Sequence, residues 1–120
     1  MEQTLLLGVD LGTGGCKITI IDGEGDIVGE AQKEYPTSHP RQLYSEQNPE
    51  DWVAAFIEAL RTVEDSSDIK LSDIAALSID ASTHNALLLD KNMEVIRPTI
   101  MWTDQRSVGE VRYLEENLGE

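Results

Sequence analysis

The sequence predicts an α/β fold, a mixed sheet with helices against it in the order β-β-β-α-β-β-α. Three observations carry this. Short apolar runs joined by glycine-rich turns fill residues 4–35, a segment with helical apolar spacing follows Pro49, and strand-like runs then resume ahead of a second helical pattern.

Thr4 to Asp10 is a short apolar run ending in turn formers, as a buried strand does. Lys17-Ile-Thr-Ile-Ile-Asp22 is rich in β-branched residues and reads as a second strand. Asp22-Gly-Glu-Gly-Asp26 is a turn, and Ile27 to Tyr35 returns as a third strand, completing an antiparallel meander. Pro36 to Asn48 reads as an irregular loop. Asn48 then suits a helix cap, Pro49 the first helical position, and Glu50 and Asp51 the positive end of the dipole. Trp52, Ala55, Phe56, Ala59, Leu60 and Val63 form one apolar face through about Glu64, and Asp65-Ser-Ser-Asp68 ends the helix. Ile74 to Ala81 reads as a core strand and Ala86 to Asp90 as another. Asp90 to Glu94 is a turn before Val95 to Trp102, a run that Pro98 interrupts, so it reads as an edge strand or a broken one. From Asp104 onward, Val108, Val111, Leu114 and Leu118 give a second helix.

A formal charge of -14 disfavours a nucleic-acid partner, because a phosphate backbone would meet repulsion. ATP stays open, since backbone amides and a metal ion override the global field locally. The single cysteine, Cys16, excludes an internal disulfide and fits a reducing compartment. With no basic N-terminal region and no apolar stretch of membrane-spanning length, no membrane partner is expected and a cytoplasmic location is.

Gly8-Val-Asp-Leu-Gly-Thr-Gly-Gly-Cys-Lys17 is the segment with chemistry in it. A P-loop needs Gly-Lys-Ser/Thr, but Cys16 precedes Lys17 and Ile18 follows it. A dinucleotide fingerprint needs a helix after the glycines, where this chain has a β-branched strand. On spacing alone, two readings stand. Gly12, Gly14 and Gly15 allow positive φ and close approach, so successive amides of a hairpin can point at one anion. Asp10 would then hold a hydrated Mg²⁺, with Thr13 and Lys17 adding a hydroxyl and a charge. The other reading is a plain tight turn with Asp10 accepting backbone hydrogen bonds.

The same segment, followed by Ile-Thr-Ile-Ile-Asp22, resembles the first phosphate motif of the FGGY carbohydrate kinases. Tyr44-Ser-Glu-Gln-Asn-Pro-Glu-Asp-Trp52 resembles that family's approach to its first helix. Ala76 to Asp90 resembles its substrate-side strand pair, and Arg97-Pro-Thr-Ile-Met-Trp-Thr-Asp-Gln-Arg106 its Arg-Pro-x-Ile-x-Trp-x-Asp-x-Arg run. The likeness is nearest to xylulokinase-like members. Asp80 and Asn85 depart from their pattern, which has glycine there.

The resemblance implies a ribonuclease H-like, actin-like ATPase fold in which two domains close over ATP, Mg²⁺ and a sugar. It implies that residues 1–120 are the N-terminal part of the first domain, on the substrate and phosphate side. The adenosine-binding domain and the general base are then expected beyond Glu120, so the chain is expected to be a truncated piece with no catalytic base of its own. By the same resemblance Asp10 belongs to the metal site and Gly12, Thr13, Gly14, Gly15 and Lys17 to the phosphates. Thr83 and His84, with Trp102 and Asp104, belong to the hydroxyls of a ketopentose such as xylulose or a related polyol. The residue-level alternatives are a structural histidine, a tryptophan packed in the core, and an Asp104–Arg106 ion pair at a helix start. A non-catalytic interaction module derived from such a kinase is the other functional reading, with a homodimer formed through apolar surface left uncovered.

Overall fold

The computed structural model describes residues 4–119. In chain order it contains β1 (Leu5–Leu11), β2 (Gly15–Ile21), β3 (Ile27–Glu34), β4 (Glu46–Gln47), α1 (Pro49–Ser66), β5 (Ile74–Ala81), β6 (Thr99–Ile100) and α2 (Val108–Leu118). These fall into two compact units, Met1–Pro36 with Pro49–Thr83, and Thr37–Asn48 with His84–Glu120.

The first unit is a four-stranded sheet of order β3-β2-β1-β5, with the meander antiparallel and β5 parallel to β1. A parallel partner needs a crossover, and α1 supplies it. The period-2 pattern decides which face is core: Leu5, Leu7 and Val9 of β1 and Cys16, Ile18 and Ile20 of β2 are all buried, in one cluster with Ala55, Ala59 and Val63 of α1. Each fully buried aliphatic side chain contributes roughly 1.5–3 kcal/mol. Gly29 lets the helix lie close, because a Cβ there would stand 2.9 Å from Val63 Cγ1 and 3.0 Å from Ile69 Cδ1. On β5, Leu77 and Ile79 share the core-side register of Leu7 and Val9 yet remain half-exposed. The Asp22–Asp26 turn forms as its composition predicts: Asp22 Oδ1 accepts from the Glu24 and Asp26 amides, and Gly25 adopts φ +93°.

The second unit departs from the sequence reading in two places. Ala86–Asp90 is not a strand; it makes only single bridges, Ala86 to Ile100 and Leu89 to Val95. The Val95–Trp102 run shrinks to β6, whose partner is β4, inside the segment read as an irregular loop. The causes are local. Leu87, Leu88 and Leu89 are all exposed, so the run buries no face, and Pro98 lacks the N–H a ladder needs. The Asp90 carboxylate closes the expected turn by accepting from the Asn92 and Glu94 amides. The second helix forms as α2.

Candidate functional site

In the first unit, Gly12-Thr13-Gly14 joins β1 to β2 as a tight hairpin, closed by a 3.0 Å bond from the Gly12 amide to the Gly15 carbonyl. The expectation that these glycines use positive φ does not hold: among the described residues Gly25 and Gly119 are the glycines that do. Of the three, Gly15 answers a demand for space instead. A Cβ on Gly15 would stand 2.7 Å from the Lys33 carbonyl oxygen, and one on Gly12 would stand 3.4 Å from the Gly15 oxygen and 3.7 Å from Asp10 Oδ1. Gly14 has nothing within 4 Å of that position, so its outer side lies open.

Asp10, at the end of β1, is in register with Lys17 on β2 and Asp80 on β5. Directly paired strand residues share a face, here the one opposite α1. Asp10, Lys17, Thr19, Ser78 and Asp80 line a shallow depression of about 340 Å³ there. Lys17 also lies 3.5 Å from Glu30, a surface pair that screening weakens. The Asp80 carboxyl is held above the usual carboxylate range by its hydrogen bond with Asp10, then by the Asp10 charge and by burial. Thr83 is exposed just past β5, whose end is tied to β1 by the 3.0 Å bond from the Ser82 amide to the Leu11 carbonyl. Cys16 is fully buried, and burial followed by the Asp10 charge pushes its thiol up, which makes it packing rather than a nucleophile. A larger cavity, about 630 Å³, lies among Thr4, Val28, Ile69 and Asp73, away from the hairpin.

In the second unit, His84 is exposed and holds a left-handed backbone, φ 61°. Trp102 is 55% exposed, which overturns the core-packing alternative, and its amide donates to Asn85 Oδ1 at 2.9 Å. Asp104 is an ion-pair residue. Its two oxygens accept from Arg106 Nε and Nη2, each at 2.8 Å, while the Ser45 and Arg106 amides donate at 2.7 and 2.9 Å. These bonds, the Arg106 side chain first, hold the carboxyl well below the usual range. Arg106 stacks 3.9 Å over the Tyr44 ring, and with Arg97 it grips the buried Glu46 carboxylate. His39 is anchored as well as exposed, its Nδ1 lying 2.8 Å from the Tyr44 carbonyl.

Two residues escaped the sequence reading. Glu46, the shared acceptor of two arginines, lay inside the family-like Tyr44–Trp52 stretch but was given no role there. Tyr35 had only its position at the end of a strand-like run before Pro36. Its hydroxyl donates to the Gly12 carbonyl and lies 3.0 Å from the Gly15 carbonyl, while its amide donates to the Gly14 carbonyl at 3.2 Å.

The profile of the FGGY family of carbohydrate kinases, N-terminal domain, matches residues 5–120. The chain is 36% identical over 115 residues to a xylulose kinase of Bacillus subtilis (strain 168), covering 96% of this chain and 23% of that protein. It is 37% identical over 114 residues to a xylulose kinase of Escherichia coli (strain K12), covering 95% and 23%. The crystal structure of a xyloylose (xylulose) kinase from Brucella ovis matches with a TM-score of 0.87 at 35% identity, over 95% of this chain and 24% of that one. The chain thus spans about a quarter of the length of the relatives it matches.

Proposed function

This chain belongs to the FGGY family of carbohydrate kinases, and from that premise we propose that it carries the phosphate and sugar side of an ATP-dependent kinase acting on a ketopentose such as xylulose or a related polyol. The observation that carries the reading is the glycine hairpin with Asp10 at its base. It has the open outer side of Gly14 for close approach and a carboxylate in register beside it.

The donor set fits the group the family implies. Asp10 offers hard oxygen to Mg²⁺, which when bound neutralises phosphate charge. Gly12, Thr13, Gly14 and Gly15 would seat the phosphates on backbone amides, and Lys17 would add charge from the same sheet face as Asp10. Phosphoryl transfer rests mainly on positioning and charge stabilisation, so a rigid hairpin on a sheet is a suitable part. Thr83, His84 and Trp102, all exposed, would meet sugar hydroxyls and ring. Asp104 would brace rather than touch, because its oxygens are occupied by Arg106 and two amides. No residue of this chain is assigned as the general base.

Isothermal titration with MgATP and with xylulose tests the reading. Asp10→Ala is expected to weaken MgATP binding by at least ~tenfold, as loss of metal-site partners does. Unchanged affinity would remove Asp10 from the site. One observation favours a second reading as an interaction module: Val108, Val111, Leu114 and Leu118 form an exposed apolar stripe on α2. Sedimentation showing a monomer at high concentration would count against it.

A further inference from the structure

A hairpin that receives an anion must keep its carbonyl oxygens, the negative ends of its peptide dipoles, off the anion's side. The hairpin here has three carbonyls in reach of one residue just past the end of β3. The Tyr35 hydroxyl donates to the Gly12 carbonyl and lies 3.0 Å from that of Gly15, and the Tyr35 amide takes the Gly14 carbonyl at 3.2 Å. Because a trans peptide carries its N–H opposite its C=O, holding the Gly12 and Gly14 carbonyls turns the Thr13 and Gly15 N–H groups away from Tyr35.

We propose that Tyr35 is the positioning residue of the phosphate hairpin: it gathers the carbonyls of Gly12, Gly14 and Gly15 onto β3's end and so leaves the other side of the turn to phosphate oxygens. The inference rests on the phosphate reading of Gly12–Gly15. Two further observations support it. Tyr35 is 6% exposed, so its side chain is fixed by packing rather than left free in solvent. Gly15 lies so close to Lys33 that only hydrogen fits, which holds the hairpin within the phenol's reach. Burial, followed by the Cys16 and Asp10 charges, pushes the phenol up to about 12, so it stays a donor at neutral pH. Tyr35 touches no reacting atom; it acts through the peptides it holds.

The test is a titration of the chain with MgATP followed by ¹H–¹⁵N spectra, comparing the natural protein with Tyr35→Phe, which keeps the ring and the backbone bond. In the natural chain the Thr13, Gly14 and Gly15 amides are expected to move on titration. In Tyr35→Phe their starting positions shift and MgATP affinity falls by at least ~tenfold, while the β1, β2 and α1 amides keep their positions. A purely structural tyrosine would instead lower stability and leave affinity unchanged, and that result overturns the inference. Failure of the hairpin amides to respond in the natural chain removes the phosphate reading itself, and the inference with it. A measurement without a variant covers the case in which Tyr35→Phe does not fold. The Tyr35 hydroxyl proton is expected to exchange slowly and to shift with MgATP. A hydroxyl signal that ignores the nucleotide while the hairpin amides respond overturns the assignment.

Discussion

The two units are held by different forces. The first has an interior of Leu5, Leu7, Val9, Ile18, Ile20, Ala59 and Val63, an apolar cluster that a sheet and one helix close over. The second buries Ser45, Glu46, Gln47 and Thr99 beside Met101, and its centre is a chain of charges, Arg97 to Glu46 to Arg106 to Asp104. Thr99 Oγ1 is buried there without a hydrogen-bond partner among the described residues. Apolar burial is non-directional and tolerates adjustment, whereas a buried ion-pair network fixes geometry and fails when one member is lost. The glycine hairpin thus stands on a core that stabilises broadly. Of the candidate sugar-side residues, His84, Trp102 and Asp104 stand on one that specifies position.

The strongest break in this contrast is Ile18→Ala. It should cost the first unit about 2–5 kcal/mol, since the side chain is fully buried, with urea unfolding followed at the β1–β3 amides as the measurement. A cost under ~1 kcal/mol would deny the apolar account. Next comes Arg106→Ala, which takes three charge-assisted bonds from the two carboxylates and leaves Asp104 with its amide donors and Glu46 with Arg97. Hydrogen exchange at the Ser45 and Met101 amides, bonded to Asp104 and to the Ser45 carbonyl, should lose protection by at least ~tenfold.

Acid and alkali should then separate the units. The folded pKa of Asp104 lies below its unfolded value, so its bonds stabilise above the ordinary carboxylate range and lose that contribution as pH falls through the folded value. The folded pKa of Tyr35 lies above its ordinary 10.0, at about 12, so its contribution is full below 10.0 and disappears as pH rises through about 12. Protection of the Ser45 amide should therefore fail first in acid. The Tyr35 tie to the hairpin, followed by phenolate absorbance, should fail in strong alkali. Failure in the reverse order would contradict both assignments. The smallest effect is Asp22→Ala, which removes two side-chain-to-backbone bonds of the β2–β3 turn and should cost about 1 kcal/mol in the same urea measurement.

The first unit was largely legible because its signals are local and periodic. The β-branched run Lys17–Asp22, the turn at Gly23 and the stripe from Trp52 to Val63 each describe one element, and each element formed. In the second unit, Ala86–Asp90 has the composition of a strand. Whether it pairs depends on Ile100, which lies outside any short window around the run. The candidate site divides in the same way. Asp10 and the hairpin glycines are visible as a motif, whereas Tyr35 and Glu46 matter through partners 20 or more residues away.

One edge of the sheet has a consequence for handling the protein. β3 ends the sheet on one side with Glu30, Gln32, Lys33 and Glu34, a strand whose charges discourage further pairing. β5 ends it on the other side with Ile-Ala-Ala-Leu-Ser-Ile-Asp-Ala, carrying one charge in eight residues. A nearly neutral β-rich edge is a template on which another copy's strand can grow. Repulsion between chains of net charge -14 opposes that growth at neutral pH. Acidification, by removing the repulsion, turns an edge into a nucleus for fibrils or precipitate, so colloidal stability should fall as the carboxylates are neutralised.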